Sequence, residues 1–193
     1  IGITGSAGKT TTTTLVGRMA QKAVKAPCKA WVGGNIGLPL VEYLDEIKAE
    51  DIVILELSSF QLEQMTLSPH MAVVLNITPN HLDRHGTMEA YTAAKSRILN
   101  FQTSTDYSIL NREDPGSWDL ASITRGTLFS FGFSSSAALE NGSFLENGKV
   151  IFRRAGIDLP VFDSSEVELR GQHNLLLALA AVAICGVTGI PAE

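Results

Sequence analysis

Short apolar runs recur along the chain, and each ends in a polar or glycine-containing segment. They cover 1–4, 29–32, 52–57, 72–77, 107–110 and 128–131. The runs at 52–57 and 72–77 are nearly continuous and do not alternate. That pattern predicts strands buried on both faces, as in a parallel sheet covered by helices. Between the runs, apolar positions fall at helical spacing. Helices are expected over 10–24, over 38–48, where Pro39 suits a first turn, and over 88–100, where Ala90, Ala94 and Ile98 share a face. Strands alternating with helices predict an α/β fold with three layers, a mainly parallel sheet lying between helices.

The pattern changes after about residue 130. Two short strands flank Asn147-Gly148, a strong hairpin signal, and 158–162 offers a third. The interval 128–163 is expected to form a small antiparallel subsheet attached to the main sheet. An apolar helix over 175–185, opened by His173-Asn174, closes the pattern. The whole span 1–193 is read as one domain. Only four residues precede the first glycine turn and there is no initiator Met, so a fragment of a larger protein is expected.

Composition narrows the class. Of 193 residues, 45% are hydrophobic and 18% charged, as in a compact globular protein. A net charge of −5 leaves no electrostatic footprint for nucleic acid or an anionic membrane. No apolar run is long enough to span a bilayer. Cys28 and Cys185 form neither a metal-ligand pattern nor a disulfide framework, and Cys185 reads as a core residue. A cytoplasmic monomer fits these features.

The most specific chemistry lies in Gly5-Ser6-Ala7-Gly8-Lys9-Thr10, with Thr11 following. Glycines let backbone N–H groups turn inward around an anion, and the next helix adds its positive end. Lys9 would reach the β- and γ-phosphates of ATP, and the Thr10 hydroxyl would ligate Mg²⁺. The strict phosphate-loop pattern has glycine five residues before Gly8, and Ile3 stands there instead. A glycine turn before an ordinary helix is the plain alternative.

Three other segments follow strands. Glu56, at the end of a buried run, either holds magnesium at the crevice of a parallel sheet or caps the next helix. Gly33-Gly34-Asn35-Ile36-Gly37 is either a close backbone approach to a ligand or a glycine turn. The stretch from Asn76 to His85 is dense in polar groups; His81 is either a metal ligand or a hydrogen-bonded structural residue. Spacing alone marks Lys95 as a solvated helix residue.

Taken together and in order, these segments resemble the central ATP-binding domain of the Mur ligases, the amide-bond ligases of peptidoglycan synthesis. The resemblance covers essentially the whole chain. Leu55-Glu56-Leu57-Ser58-Ser59-Phe60-Gln61-Leu62-Glu63 and the Gly33–Gly37 segment look most like the D-glutamate-adding branch. The resemblance implies ATP and two magnesium ions as cofactors. It makes Lys9 and Thr10 the lysine and magnesium ligand of the ATP site, and Glu56 the acidic ligand of the first ion. His81 would serve the second ion. Lys95 matches a lysine that the family carbamylates with CO₂, turning an ammonium into an oxygen-rich anion able to bind a cation. Asn35 and Ser58 match contacts to the muramoyl-alanine end of the substrate. His173 and Asn174 match a segment bordering the nucleotide.

The implied substrates are UDP-N-acetylmuramoyl-L-alanine and D-glutamate, joined through an acyl phosphate, and the chain alone is expected not to complete ligation. Three positions depart from the family pattern. Asn80 replaces an acid, Ala7 replaces an asparagine, and Leu177 replaces a second asparagine expected to touch adenine. Two readings compete. A folylpolyglutamate synthase domain uses the same chemistry on folate, but the 57–63 segment argues against it. A nucleotide-hydrolysing switch module would carry an Asp-ended strand, and for GTP a guanine-reading motif; neither is present.

Overall fold

In a computed structural model, residues 1–37, 39–135, 139–167 and 171–191 are described. The apolar runs become strands β1 (Gly2–Thr4), β2 (Ala30–Gly34), β3 (Ile52–Glu56), β4 (Met71–Val74), β5 (Tyr107–Asn111) and β6 (Thr127–Phe131). Beyond them lie β7 (Gly142–Glu146), β8 (Lys149–Arg154) and β9 (Ile157–Asp163). Among the described residues they form one nine-stranded sheet in the order β2-β3-β1-β4-β5-β6-β7-β8-β9. Every pairing from β2 across to β7 is parallel, and β7–β8–β9 is antiparallel.

The strand faces explain the unbroken apolar runs. In β4, Met71 and Val73 face one hydrophobic cluster while Ala72 and Val74 face another. Strand side chains alternate between faces, so a sheet covered on both sides needs both sets apolar. One face is covered by α1 (Lys9–Ala23) and α6 (Gln172–Thr188), the other by α2 (Ser59–Gln64) and α4 (Met88–Asn100). Helix α6 buries every residue from Leu177 to Cys185. It packs on β5 to β8 and against α1 beside it on the same face, so it is covered on more than one side, which accounts for an apolar surface all round rather than a stripe. Cys185 lies fully inside this core, and burial pushes its thiol up to about 12.

Two details differ from the sequence reading. The helix expected over 38–48 is only a 3₁₀ turn at Leu40–Tyr43, and Leu38 lies outside the described residues. Val41 and Leu44 are 70% and 63% exposed, so no apolar face is buried to hold a longer helix. The antiparallel part begins at β7 rather than at 128, because β6 runs parallel to both β5 and β7. The Asn147-Gly148 turn dictates only the β7–β8 direction; Phe129 and Phe131 are drawn into the main core. Residues 136–138 of that interval lie outside the described residues. Short helices α3 (Leu82–His85) and α5 (Pro115–Trp118) complete the set.

After β1 the chain moves to one side of the sheet for β2 and β3, then crosses back for β4. The C-terminal end of β1 is thus the point where the strand order reverses, the usual position of a ligand crevice in such sheets.

Candidate functional site

The glycine-containing loop 5–8 leaves β1 at this reversal point and enters α1. Gly8 is the residue before the helix, with φ of 82° and no side-chain cap. A side chain there would need left-handed backbone and would meet Leu177 of α6 at 2.6 Å, so only glycine fits comfortably. The N–H groups of Gly8 to Thr11 have no partner within the helix. They form a positive, donor-rich end directed at the crevice.

Neighbouring loops hold the turn in shape. Asn76 pairs its amide with Ala7 in both directions, accepting from the Ala7 N–H at 2.8 Å and donating to the Ala7 carbonyl at 3.0 Å. The Ser6 hydroxyl donates to the Thr78 carbonyl, accepts from the Thr78 N–H, each at 2.9 Å, and lies 3.0 Å from the Tyr91 hydroxyl. Because the Ala7 contacts are made by its backbone, a methyl side chain suffices there.

Lys9 turns back over the loop and donates to the carbonyls of Gly5 at 2.9 Å and Ser6 at 3.4 Å. Lys95 reaches the same Gly5 carbonyl from α4, at 2.9 Å, and lies 3.4 Å from the Thr4 hydroxyl. It is 1% exposed, and its ammonium stands 4.8 Å over the Tyr91 ring. Burial, with the Lys9 charge adding to it, lowers the Lys95 ammonium to about 7. The solvated-surface reading of Lys95 is therefore corrected. Its helix position carries no sign of this; only packing of α4 against β1 buries it.

Glu56 ends β3 and is also 1% exposed. One carboxylate oxygen accepts from the Thr10 hydroxyl at 2.9 Å, the other from the Asn35 side-chain amide at 2.9 Å. The Asn35 N–H donates to the Glu56 carbonyl at 2.8 Å. Gly34, with φ of 99°, packs so tightly on the Glu56 backbone that a Cβ would collide with its carbonyl. The glycine cluster thus brings Asn35 onto Glu56.

Thr10 and Glu56 offer two hard oxygen donors side by side. Among the described residues no three His, Cys, Asp or Glu side chains gather as a metal cluster. This donor set suits magnesium, which takes most of its ligands from phosphate and water. The expected residues for a second ion are not gathered in the same way. His81 is exposed, precedes α3 with φ of 52°, and its N–H bonds the Asn80 side chain at 2.9 Å. Its ring lies 5.6 Å from Phe60.

Ser58 is the N-cap of α2: its hydroxyl accepts from the Gln61 N–H at 3.3 Å, and the Gln61 side chain returns to the Ser58 N–H at 2.9 Å. Its side chain is engaged locally, although it sits two residues from Glu56. His173 and Asn174 stand in the first turn of α6, four and three positions before Leu177, on the face that meets Gly8. Leu177 itself is 2% exposed and packs in the core against the loop.

Asn76, Thr78 and Tyr91 received no individual role from the sequence. The density of polar residues after β4 pointed to the first two, whereas Tyr91 had only an apolar helix position to announce it.

The chain matches the Mur ligase middle domain over residues 3–185. It is 44% identical over 191 residues to the UDP-N-acetylmuramoylalanine–D-glutamate ligase of Symbiobacterium thermophilum, covering 99% of this chain and 41% of that protein. The chain thus spans about two fifths of the length of such relatives. The fold is similar to MurF from Acinetobacter baumannii, with TM-score 0.69 and 23% identity over 98% of this chain and 42% of the other. It is also similar to MurF ligase from Thermotoga maritima in complex with ADP, with TM-score 0.63 and 20% identity over 97% of this chain and 45% of the other.

Proposed function

Because the chain belongs to the Mur ligase family, through the middle domain of that family, we propose that it forms the ATP site of a ligase joining D-glutamate to UDP-N-acetylmuramoyl-L-alanine. One observation carries the reading. A buried lysine, Lys95, shares the Gly5 carbonyl with the phosphate-loop Lys9, beside the Thr10–Glu56 pair. The name of the 44% identical relative supports D-glutamate as the amine.

In the proposed reaction, the substrate carboxylate attacks the γ-phosphorus of ATP. ADP leaves, and an acyl phosphate forms. The D-glutamate amine then attacks the acyl carbon, and inorganic phosphate leaves as the amide bond closes. The first step brings an anion against a polyanion, so charge neutralisation dominates its barrier. The N–H groups of Gly8 to Thr11 hold phosphate oxygens, and Lys9 swings from the Gly5 carbonyl to the β- and γ-phosphates. Magnesium would supply positive charge to offset the phosphate oxygens. Thr10 and Glu56 are the ligands offered to the first ion. Asn35 orients Glu56 and, with Ser58, borders the path of the incoming carboxylate. His173 and Asn174 border the nucleotide.

The family resemblance assigns Lys95 and His81 to a second ion, although the structure does not gather them into one cluster. With its ammonium lowered to about 7, Lys95 is substantially a neutral amine near neutral pH. In carbamylation the amine nitrogen would bond to the carbon of CO₂, one C–O π pair would pass to oxygen, and one N–H proton would go to water, leaving a carbamate. The carbamate would offer a cation an anionic oxygen, which the amine lacks.

The test is amide formation by the complete protein, with UDP-N-acetylmuramoyl-L-alanine as acceptor and D-glutamate, L-lysine or meso-diaminopimelate as amine. Incorporation of D-glutamate alone, with one ADP per amide, is expected. Preferential use of another amine, or of a reduced folate as acceptor, rejects the substrate assignment.

A further inference from the structure

His85 is a buried side chain with a partner at each ring nitrogen, and the reaction above gives it no role. Its side chain is 3% exposed. Nε2 lies 2.9 Å from the Ser59 hydroxyl, and Nδ1 lies 3.1 Å from a Glu63 carboxylate oxygen. The ring is stacked on Phe60 at 5.1 Å and lies 5.1 Å from Tyr91. The order Ser–His–Glu is that of a hydrolytic triad. Ser59, however, is 3% exposed, so its hydroxyl is closed to a substrate, and the arrangement serves geometry.

What it holds is His81. Helix α3 is a single turn, and the His85 N–H donates to the His81 carbonyl at 3.0 Å. An isolated turn of this length has no stability of its own. Its far end is fastened to Ser59 and Glu63 of α2, the helix that directly follows the Glu56 strand end. Its near end presents His81. Tyr91, against the other side of His85, lies 3.0 Å from Ser6 in the phosphate loop.

We propose that His85 is a positioning residue: through Ser59 and Glu63 it locks the one-turn helix bearing His81 to the elements that carry Glu56 and the phosphate loop. This rests on the assignment of His81 to a magnesium ion. Groups that orient a metal ligand from behind commonly change metal affinity by about 10–100-fold when removed. The hold here passes through one helical turn, so about three- to tenfold is expected.

The experiment is a double-mutant cycle on the complete protein, reading Mg²⁺ affinity by calorimetry with ATP present. His85→Ala should weaken Mg²⁺ binding about three- to tenfold in the native background. It should have no further effect when His81 is already alanine, since residues acting through one another are not additive. Equal weakening in both backgrounds, or none in either, overturns the inference. If His85→Ala does not fold, Glu63→Gln takes its place: it keeps a hydrogen-bond acceptor but removes the charge, on a side chain that is 43% exposed. A smaller loss that vanishes with His81→Ala supports the proposal, and an additive or absent effect rejects it. If His81→Ala leaves Mg²⁺ affinity unchanged, the metal assignment fails first and this inference fails with it. An additive His85 effect beside a real His81 effect refutes this inference alone.

Discussion

At the scale of the residue, Lys95 shows how burial makes chemistry. An unfolded chain keeps its proton up to the ordinary value of 10.5, whereas the folded chain releases it from about 7. Between those values the unfolded state binds more protons, so stability rises with pH across that window. Below about 7 both states are charged, and the cost of the buried ammonium is felt in full. Lys95→Met removes that cost while filling similar space, and Lys9 remains a donor to the Gly5 carbonyl. The variant is expected to be more stable than the native protein at pH 6, with the difference shrinking towards pH 10 in urea unfolding at a series of pH values. A pH-independent difference would mean that burial does not set the proton affinity. The same side chain spaced as Ala93-Ala94-Lys95-Ser96-Arg97 carries no mark of this in the sequence, because burial depends on where α4 lands.

At the scale of the element, α6 joins two functions. Its apolar core positions hold the sheet together, and Leu177 reaches past them to the phosphate loop. A side chain at Gly8 would meet it at 2.6 Å, so the leucine forms the floor beneath the loop. Leu177→Ala should cost about 2–5 kcal/mol, the usual range for emptying a buried leucine site, as measured from urea midpoints. It should also weaken ATP binding, since the turn at Gly8 loses its support. Unchanged ATP affinity in a clearly destabilised variant would separate the floor from the site. The family-like asparagine at this position would have to bury an amide in the same apolar setting, which costs about 1–3 kcal/mol when unpaired. This gives the departure at Leu177 a packing reason.

At the scale of the whole molecule, the site sits where β1, β3 and β4 meet, in the parallel part of a sheet shared by both hydrophobic clusters. A ligand bound there would contact segments from both sides of the crossing, and its binding would be felt by the entire fold. A ligand at a hundred times its dissociation constant adds about 2.7 kcal/mol to stability. Magnesium with ATP should therefore raise the thermal midpoint of unfolding in proportion to the logarithm of concentration. The rise should disappear in Lys9→Met. A shift that persists without Lys9 would place the nucleotide elsewhere. Among the described residues, no helix is long and apolar enough to cross a membrane.

The sequence by itself determined the elements whose signals are local. Unbroken apolar runs called for strands covered on both faces, Asn147-Gly148 called for a hairpin, and the glycines before Lys9 called for a tight turn into a helix. The helix over 88–100 was legible to the residue, because its apolar period lies in one stretch. What lies between distant segments was decided only by tertiary structure. The parallel direction of β6 and the failure of a full helix after Pro39 depend on which surfaces find partners. The burial of Lys95, the grip of Asn76 on Ala7 and the lock around His85 each join residues far apart in the chain or on separate elements. Their energy comes from packing and desolvation, which no short window of sequence contains.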